Sequence, residues 1–256
     1  MLLAIDIGNT NIAFGLFEGK RLLKKIGLPT SSIGRDRHFA QKIKRTFFRY
    51  RIEAIVISSV VPKAERLLVS ILEKLFYIKP IILGKDVNVP IRNLYKKPKQ
   101  VGQDRLVNAY AGSKFYKAPL IIIDFGTAIT FDIVSERGAY LGGIIAPGAE
   151  LALNALYEGT ALLPKIKPRK LTSILGRTTS ESMLSSITYG FGSMCDGLVD
   201  KLKRKMGLKF RVIATGGSAR LISQYSTSIE KIDEDLTLKG INLIYQALMK
   251  NIARDP

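Results

Sequence analysis

Two stretches of this chain place a carboxylate, a glycine and a polar side chain directly after an apolar run. The first is D-I-G-N-T-N at Asp6–Asn11, and the second is D-F-G-T-A at Asp124–Ala128, about half the chain later. Glycine after a strand-end carboxylate permits a sharp turn and brings backbone N–H groups close to an anion. The carboxylate suits magnesium, directly or through water. Two such turns across a cleft could hold a nucleotide phosphate chain, although each alone is equally typical of a plain β-hairpin.

A third glycine turn points the same way. Thr215-Gly216-Gly217-Ser218 follows an apolar run, and its paired glycines would let an adenine ring lie against the backbone. The chain contains neither G-x-x-x-x-G-K-[ST] nor a complete G-x-G-x-x-G pattern. P-loop and Rossmann nucleotide sites are therefore not supported.

The cysteine and histidine content excludes several other sites. Cys195 is the only cysteine, so an internal disulfide and a Cys-based zinc site are excluded, and we expect a small buried hydrophobe. The only histidine, His38, lies in a basic run, and we expect it at the surface or at a helix start. Serine-histidine catalysis is thus poorly supported.

The charge of the chain is strongly positive, at +19. Eleven basic residues and one acidic residue fall between Lys20 and Arg51. This charge suggests a nucleic-acid partner. However, no regular aromatic pattern accompanies the basic residues, and no helix-turn-helix or zinc-finger signature occurs. We therefore expect a solvated basic face and no nucleic-acid partner.

The distribution of apolar residues predicts a cytoplasmic protein. No apolar stretch is long enough to span a bilayer, so we expect no membrane association. Met1–Ile5 lacks a basic flank and is followed at once by Asp6, so we expect no signal peptide.

The first half of the chain predicts an α/β unit that opens with a strand hairpin. Apolar runs predict strands, and apolar residues three and four positions apart predict helices. We predict strands over Leu2–Ile7, Ile12–Phe17, Arg21–Leu28, Ala54–Val60 and Ile81–Leu83, and helices over Asp36–Arg49, Lys63–Phe76 and Gln103–Phe115.

The second half restarts with a similar strand pair. We predict strands over Ile121–Asp124, Ile129–Val134, Ala139–Ile144 and Phe210–Ala214, and helices over Ala149–Tyr157, Ser180–Met206 and Leu238–Ile252. The matching context of the two repeated phrases favours duplication over coincidence. We therefore predict two duplicated α/β domains, residues 1–117 and 118–256, with a nucleotide cleft between them.

Six motifs in order resemble one known family. They are D-I-G-N-T-N at Asp6–Asn11, S-S-V-V-P at Ser58–Pro62, G-Q-D-R at Gly102–Arg105, D-F-G-T-A at Asp124–Ala128, L-G-G-I-I-A-P-G at Leu141–Gly148 and G-R-T-T at Gly176–Thr179. Together they cover nearly the whole chain, which resembles a type III pantothenate kinase of the acetate kinase, sugar kinase and actin superfamily. This implies two ribonuclease H-like (actin-like ATPase) domains and a homodimer with its substrate pocket at the subunit interface. The implied reaction transfers the ATP γ-phosphate to pantothenate, giving 4′-phosphopantothenate for coenzyme A, and requires magnesium.

The resemblance also implies roles for individual residues. Asp104 matches the general base, a role open to a carboxylate because an alcohol is a poor nucleophile until its proton has a destination. Asp124 matches the ligand of a monovalent cation, potassium or ammonium, and Asp6 is assigned to magnesium. The ATP-contacting set is Asp6, Ile7, Gly8, Asn9, Thr10, Asn11, Ile12, Ala13 and Thr127. The pantothenate-contacting set is Tyr95, Gly102, Gln103, Asp104, Arg105 and Thr179.

The residues around Asp104 allow a second interpretation. Without the resemblance, Asp104 would be a helix-capping residue paired with a surface arginine, Arg105. In either role, the positive charge and the helix start should favour the ionised carboxylate.

Three residues depart from the family's usual pattern. Ala13 stands where many relatives carry a longer, sometimes basic side chain, Ile129 replaces a hydroxyl residue, and Gln103 replaces a small residue. All three carboxylates of the implied site are present, so we expect an active enzyme. The alternatives are a nucleic-acid-binding or regulatory protein that keeps the kinase fold, and another kinase or phosphatase of the superfamily.

Overall fold

The computed structural model describes residues 1–252 and divides the chain into two compact units. The first unit contains residues 1–92, residues 96–111 and the chain from Leu236, and the second contains residues 93–95 and 112–235. The C-terminal helix thus belongs with the first unit, whereas the predicted division at 117/118 assigns it to the second domain. The reason is its packing: the Asn242 amide donates to the Gly19 carbonyl oxygen (2.9 Å), and Leu238 fits against Gly15.

Within the described residues, the chain forms ten strands and eight α-helices. The strands are β1 (Leu2–Ile7), β2 (Asn11–Glu18), β3 (Arg21–Pro29), β4 (Ala54–Ser59), β5 (Ile81–Ile82), β6 (Leu120–Phe125), β7 (Ala128–Val134), β8 (Tyr140–Pro147), β9 (Arg211–Thr215) and β10 (Lys231–Ile232). The helices are α1 (Phe39–Phe47), α2 (Pro62–Phe76), α3 (Gln103–Phe115), α4 (Ala149–Glu158), α5 (Thr179–Ser185), α6 (Phe191–Met206), α7 (Ala219–Ile222) and α8 (Leu236–Ile252). None of the helices in this part of the chain is long and apolar enough to cross a membrane.

The two units contain sheets with the same strand order. The first sheet runs β3-β2-β1-β4-β5, and the second, read in the same sense, runs β8-β7-β6-β9-β10. In each sheet the first three strands are antiparallel, and the last two run parallel to the central strand. This repeated arrangement confirms the predicted duplicated α/β fold of ribonuclease H-like units.

Helix α1 shows why the basic segment folds as it does. Phe39, Ile43 and Phe47 are buried in the core of the first unit, while Lys44 and Arg45 point outward and are exposed. The helix is shorter than the predicted span of residues 36–49, because its first turn is preceded by a tight bend in which Asp36 accepts the N–H of His38 (2.8 Å). His38 therefore stands directly before the helix, as predicted.

The helix predicted over residues 180–206 is interrupted. A π-helical turn over Ser186–Gly190 separates α5 from α6. Close packing occurs just beyond it, since a Cβ at Gly192 would collide with the Tyr225 carbonyl oxygen. Cys195 on α6 is fully buried, and burial raises the pKa of its thiol to about 12, which confirms the predicted hydrophobic role.

Candidate active site

The first repeated turn is closed by its own backbone. Gly8 donates its N–H to the Asn11 carbonyl oxygen (3.0 Å), and the Thr30 hydroxyl donates to the Gly8 carbonyl oxygen (2.7 Å). A Cβ at Gly8 would lie 3.1 Å from the Asn11 carbonyl oxygen, so the turn is tight at this position. Asp6 is half-buried just before the turn, and the side chains of Asn9 and Asn11 are exposed. The turn thus presents polar groups at the carboxyl end of β1.

Not every residue of the predicted ATP-contacting set offers a side chain to a ligand. Ile7 and Ile12 face each other across β1 and β2, and both side chains lie in the core of the first unit. Only their backbone groups remain for a ligand. Ala13 is half-buried and pairs with Asp6, so its methyl group lies on the same face as the carboxylate.

Ser58 is missing from the sequence-based set of site residues, although its motif was recognised. It lies on β4 beside Asp6 in the parallel register. Its side chain is fully buried, and its Oγ has no hydrogen-bond partner among the described residues. A buried hydroxyl without a partner costs about 1–3 kcal/mol. A ligand or water that reached this edge of the sheet would therefore find a polar atom ready to bind it.

The G-Q-D-R motif opens helix α3 at the same end of the first sheet. Asp104 is the second residue of the helix and accepts the N–H of Arg105 on its Oδ1 (2.8 Å). A Cβ at Gly102 would collide with that Oδ1 and would lie 3.4 Å from Cγ1 of Val60. Val60 in turn donates its N–H to the carbonyl oxygen of Ile7 (3.1 Å). Three of the six motifs therefore meet within the first unit.

Burial is the largest influence on the pKa of the Asp104 carboxyl. Desolvation raises the pKa of its carboxyl above the ordinary value of 3.8, and the N–H and charge of Arg105 oppose this more weakly. Arg105 favours the ionised form, as expected, but burial, which the expectation did not include, outweighs it and makes the net shift of the pKa upward. A carboxylate with a raised pKa is a stronger base than an exposed one.

The second repeated turn is packed against two other motifs. Gly148 donates its N–H to the Thr127 carbonyl oxygen (3.0 Å), and a Cβ at Gly148 would collide with the Gly126 carbonyl oxygen. Ser218 donates its N–H to the carbonyl oxygen of Phe125 (3.1 Å). The second unit therefore gathers the D-F-G-T-A motif, the end of L-G-G-I-I-A-P-G and the T-G-G-S turn in one place.

The surroundings of Asp124 differ from those of Asp6. Asp124 pairs with Thr130 on β7 and with Thr215 on β9, where Asp6 has Ala13 and Ser58. The turn after Asp124 is also one residue shorter, because Phe125 pairs with Ile129 whereas Ile7 pairs with Ile12. Carboxylate and hydroxyl oxygens are hard ligands. Asp124 thus has a hydroxyl residue opposite it on both neighbouring strands, whereas Asp6 has one on β4 alone.

The two remaining predicted substrate residues lie in the second unit. Tyr95 belongs to a short segment that pairs with β8, where Leu94 donates its N–H to the Tyr140 carbonyl oxygen (2.9 Å). The Tyr95 ring lies 6.3 Å from the Tyr140 ring and packs over Gly142. Thr179 is the first residue of α5 and is exposed.

The predicted site residues thus form two groups, one in each unit. The first unit holds Asp6, the turn that follows it and Gly102–Arg105, and the second holds Tyr95, Asp124, Thr127 and Thr179. The predicted set lacked Ser58, Thr130 and Thr215, whose strand pairing places them beside the two repeated carboxylates. The signal for them was the strand register, which a single sequence does not specify.

Comparison with known proteins agrees with these motifs. The family model described as type III pantothenate kinase matches residues 2–201. A type III pantothenate kinase of Myxococcus xanthus is 38% identical over 96% of this chain and 98% of its own length. One from Halalkalibacterium halodurans is 39% identical over 96% of this chain and 99% of its own.

Solved structures share the fold at much lower identity. A conserved putative Baf family transcriptional activator from Campylobacter jejuni superposes with a TM-score of 0.62 at 20% identity, over 97% of this chain and 99% of that one. An activator of the 2-hydroxyisocaproyl-CoA dehydratase from Clostridium difficile, with bound ADPNP, gives a TM-score of 0.56 at 13% identity, over 100% of this chain and 97% of that one.

Sequence relatives over nearly the full length, together with the motifs assembled in each unit, identify the reaction. The chain belongs to the type III pantothenate kinase family, whose members phosphorylate pantothenate with ATP at the start of coenzyme A biosynthesis.

Proposed function

We propose that this chain phosphorylates pantothenate with Asp104 as the general base. In this step a bond forms between the substrate's primary hydroxyl oxygen and the γ-phosphorus of ATP. The bond from that phosphorus to the β–γ bridging oxygen breaks, and ADP leaves. The hydroxyl proton passes to the Asp104 carboxylate. The observation that carries the assignment is the carboxylate of Asp104 at the start of α3, whose pKa is raised by burial.

We assign the ATP phosphates to the first repeated turn and to Thr127. The Gly8–Asn11 segment supports this assignment because it combines a tight backbone turn with exposed amide and hydroxyl side chains. Phosphoryl transfer asks little covalent chemistry of the protein, so positioned donors and cations should supply most of the rate enhancement.

Magnesium would be held by Asp6 together with phosphate oxygens. Proteins bind this ion through one or two carboxylates plus substrate phosphates, so a single aspartate is sufficient. When bound, the ion would neutralise charge on the phosphates. The partnerless buried Oγ of Ser58 beside Asp6 supports a polar ligand or water at this position.

A monovalent cation is assigned to Asp124. The support comes from the strand register, which places the hydroxyl residues Thr130 and Thr215 opposite Asp124 on the two neighbouring strands. The residues present therefore fit a hard cation. We expect turnover in potassium or ammonium buffers and a much lower rate in buffers with sodium alone; equal rates in all three would contradict the assignment.

Pantothenate contacts are assigned to Tyr95, Gly102, Gln103, Arg105 and Thr179. Asp104 belongs to the same predicted set and shares one short motif with three of these residues, Gly102, Gln103 and Arg105. The glycine at 102 supports the assignment because the absence of a Cβ lets the Asp104 carboxylate lie directly against the Gly102 backbone.

A homodimer in the cytoplasm is the expected state of the enzyme. Exposed large apolar side chains are concentrated in the second unit, at Ile145, Leu151, Tyr157, Leu162, Ile174 and Leu175. Exposed apolar surface is typical of a protein-protein contact, and we assign the dimer contact to these residues. Sedimentation of the chain and of its Leu162→Asp and Leu175→Asp variants tests this surface: the dimer should be lost, and an unaltered dimer would exclude it.

The main experiment combines turnover and binding. Asp104→Asn should still bind ATP and pantothenate in calorimetry but should lose turnover by about 10²–10⁴-fold, the usual contribution of general base catalysis. Asp200→Asn, at an exposed position on α6, is the matched control and should keep the normal rate. Near-normal turnover in Asp104→Asn would remove the base assignment. A screen of other alcohol acceptors with ATP separates pantothenate from the remaining substrates of the superfamily.

A further inference from the structure

The turn after β5 packs directly on the first residue of α3. Gly84 has a φ of +82°, and a Cβ there would lie 2.5 Å from both Cδ and Nε2 of Gln103. Real Cβ atoms essentially never make contacts under 3.0 Å. The Gln103 carboxamide therefore occupies the space that the side chain of any other residue at position 84 would need.

The turn that carries Gly84 is held from three directions. Leu83 donates its N–H to the Ile57 carbonyl oxygen on β4 (2.9 Å), and Gly84 donates its N–H to the Val87 carbonyl oxygen (2.8 Å). The Asp86 carboxylate accepts the N–H of Ile82 (2.7 Å), and Lys85 forms an ion pair with the buried Glu65 of α2. Gln103 thus rests on a rigid part of the first unit.

The start of α3 is enclosed between two such surfaces. On one side Gly102 contacts Val60, which follows β4, and on the other side Gln103 contacts Gly84, which follows β5. Because β4 and β5 are parallel neighbours, both surfaces lie at the same edge of the sheet. Asp104 is the next residue, so a displacement of the first turn of α3 at Gln103 would also move the backbone that carries the Asp104 carboxylate.

We propose that Gln103 is a positioning residue whose carboxamide, packed on Gly84, orients Asp104 for proton abstraction. This inference rests on the proposed role of Asp104 as the base. The glycine at 84 provides the space that the Gln103 carboxamide occupies.

The test is a double-mutant cycle with ATP and pantothenate as substrates. Gly84→Ala should push Gln103 aside and lower kcat roughly tenfold or more, since small displacements of a catalytic group can cost up to about 10²-fold. The KM for ATP should change less than about twofold, because uniform binding is unaffected. In the Gln103→Ala background the same Gly84→Ala change should cost no further kcat, because the collision is absent.

Gly207→Ala is the matched control for backbone strain. Gly207 also has a positive φ, +65°, but a Cβ there would meet nothing within 4 Å. The Gly207→Ala variant should leave kcat unchanged. The Gly84→Ala variant should lower kcat and also shift the acidic limb of the kcat–pH profile, because the surroundings of Asp104 change. A merely structural loss would lower the active fraction without moving that limb.

The possible outcomes separate this inference from the base assignment. An equal kcat loss from Gly84→Ala in both backgrounds, or no more loss than from Gly207→Ala, would overturn the Gly84–Gln103 contact as the positioning device. If Gly84→Ala alone does not fold, a folded double variant supports the contact and an unfolded one overturns it. Near-normal turnover in Asp104→Asn would remove the base, and with it the proposal, whatever the cycle shows. If Asp104→Asn loses turnover and the kcat effects of Gly84→Ala and Gln103→Ala are additive, Asp104 remains the base and only the positioning role of Gln103 is excluded.

Discussion

The carboxylate of Asp124 lies directly against the backbone of Gly216. A Cβ at Gly216 would collide with Oδ1 of Asp124 and lie 2.7 Å from the backbone N and C of Phe125. Gly216 also has a φ of +92°, which L side chains rarely adopt. The first glycine of the T-G-G-S turn therefore shapes the carboxylate site, in addition to any contact with a nucleotide.

Gly216→Ala should damage this site and the stability of the second unit together. Both the collision and the positive φ oppose a side chain, and such strain costs about 1–3 kcal/mol. We expect kcat to fall at least tenfold, since a shifted Asp124 would hold a cation poorly. Urea unfolding and potassium-dependent turnover measure the two effects.

The neighbouring glycine provides the control for this substitution. A Cβ at Gly217 would meet nothing within 4 Å, and its φ is not in the positive range. Gly217→Ala should therefore retain stability and potassium activation. Equal damage from both substitutions would show that the turn as a whole, and not the contact with Asp124, is responsible.

Local sequence signals were sufficient for the repeated fold. The apolar runs before Asp6 and Asp124 indicated buried central strands, and the observed strands β1 and β6 end close to those carboxylates. The strand order could be anticipated because a hairpin followed by crossover helices allows few arrangements. The short strand β10 and the single-turn helix α7 carry too few residues for a periodic pattern, and both were missed.

Long-range packing was not accessible from the sequence. Nothing local indicates that α8 packs with the first unit, that Gly84 contacts Gln103, or that the hydroxyl of Ser58 is buried. Burial also reversed the expected pKa direction of Asp104, because desolvation depends on elements far away in the chain. Motifs thus identified the carboxylates, and tertiary contacts determine their chemistry.

Asp104 should make activity and stability respond oppositely to pH. Its folded-state pKa is raised, so the folded protein binds the carboxyl proton more tightly than the unfolded chain does. The protonated Asp104 carboxyl stabilises the fold fully below its pKa in the unfolded chain. This stabilisation is lost as the pH rises through its pKa in the folded protein. Asp104→Asn should therefore be more stable than the parent at neutral pH, and this advantage should shrink as the pH falls towards 3.8.

Turnover should follow the reverse course, because the base must be ionised. We expect kcat to decline as the pH falls through the raised pKa of Asp104, at a pH above that of an ordinary aspartate. Chemical unfolding and kcat measured over the same pH series test both effects. A parent that is more stable than Asp104→Asn at neutral pH would contradict the burial penalty.

Asp196 should be a stabilising anchor of the second unit. Burial opposes its ionisation, but donors from three consecutive residues outweigh this and hold its pKa at about 2. They are the hydroxyl of Ser226 (2.6 Å), the hydroxyl and N–H of Thr227 (2.8 and 3.0 Å) and the N–H of Ser228 (2.9 Å). At neutral pH, Asp196→Asn should lower the free energy of unfolding by roughly 1–2 kcal/mol. The effect is no larger because the site is partly exposed to solvent.

The sign of this effect with pH follows from the depressed pKa. Asp196 contributes its full stabilisation above the pKa of the unfolded chain, 3.8. This stabilisation is lost as the pH falls from 3.8 to about 2, the pKa in the folded protein. The difference in unfolding free energy between the parent and Asp196→Asn should therefore be constant from pH 7 to pH 5 and should narrow below pH 4. Turnover near neutral pH should be unchanged, and a loss of activity without a loss of stability would contradict a purely structural role.

The ion pair between Lys85 and Glu65 should matter more than its surface counterparts. The Glu65 side chain is only 8% exposed, whereas its partner Lys85 is 61% exposed. Lys85→Met would leave a buried carboxylate without the cation it faces, which we expect to cost about 1–3 kcal/mol. Lys42→Met is the matched control, since Lys42 pairs with Asp36 at 2.8 Å in a more exposed setting, and its effect should be much smaller. Because Lys85 also anchors the turn that carries Gly84, Lys85→Met should lower kcat as well, while Lys42→Met should not; identical thermal and kinetic behaviour of the two variants would rule out this anchoring role.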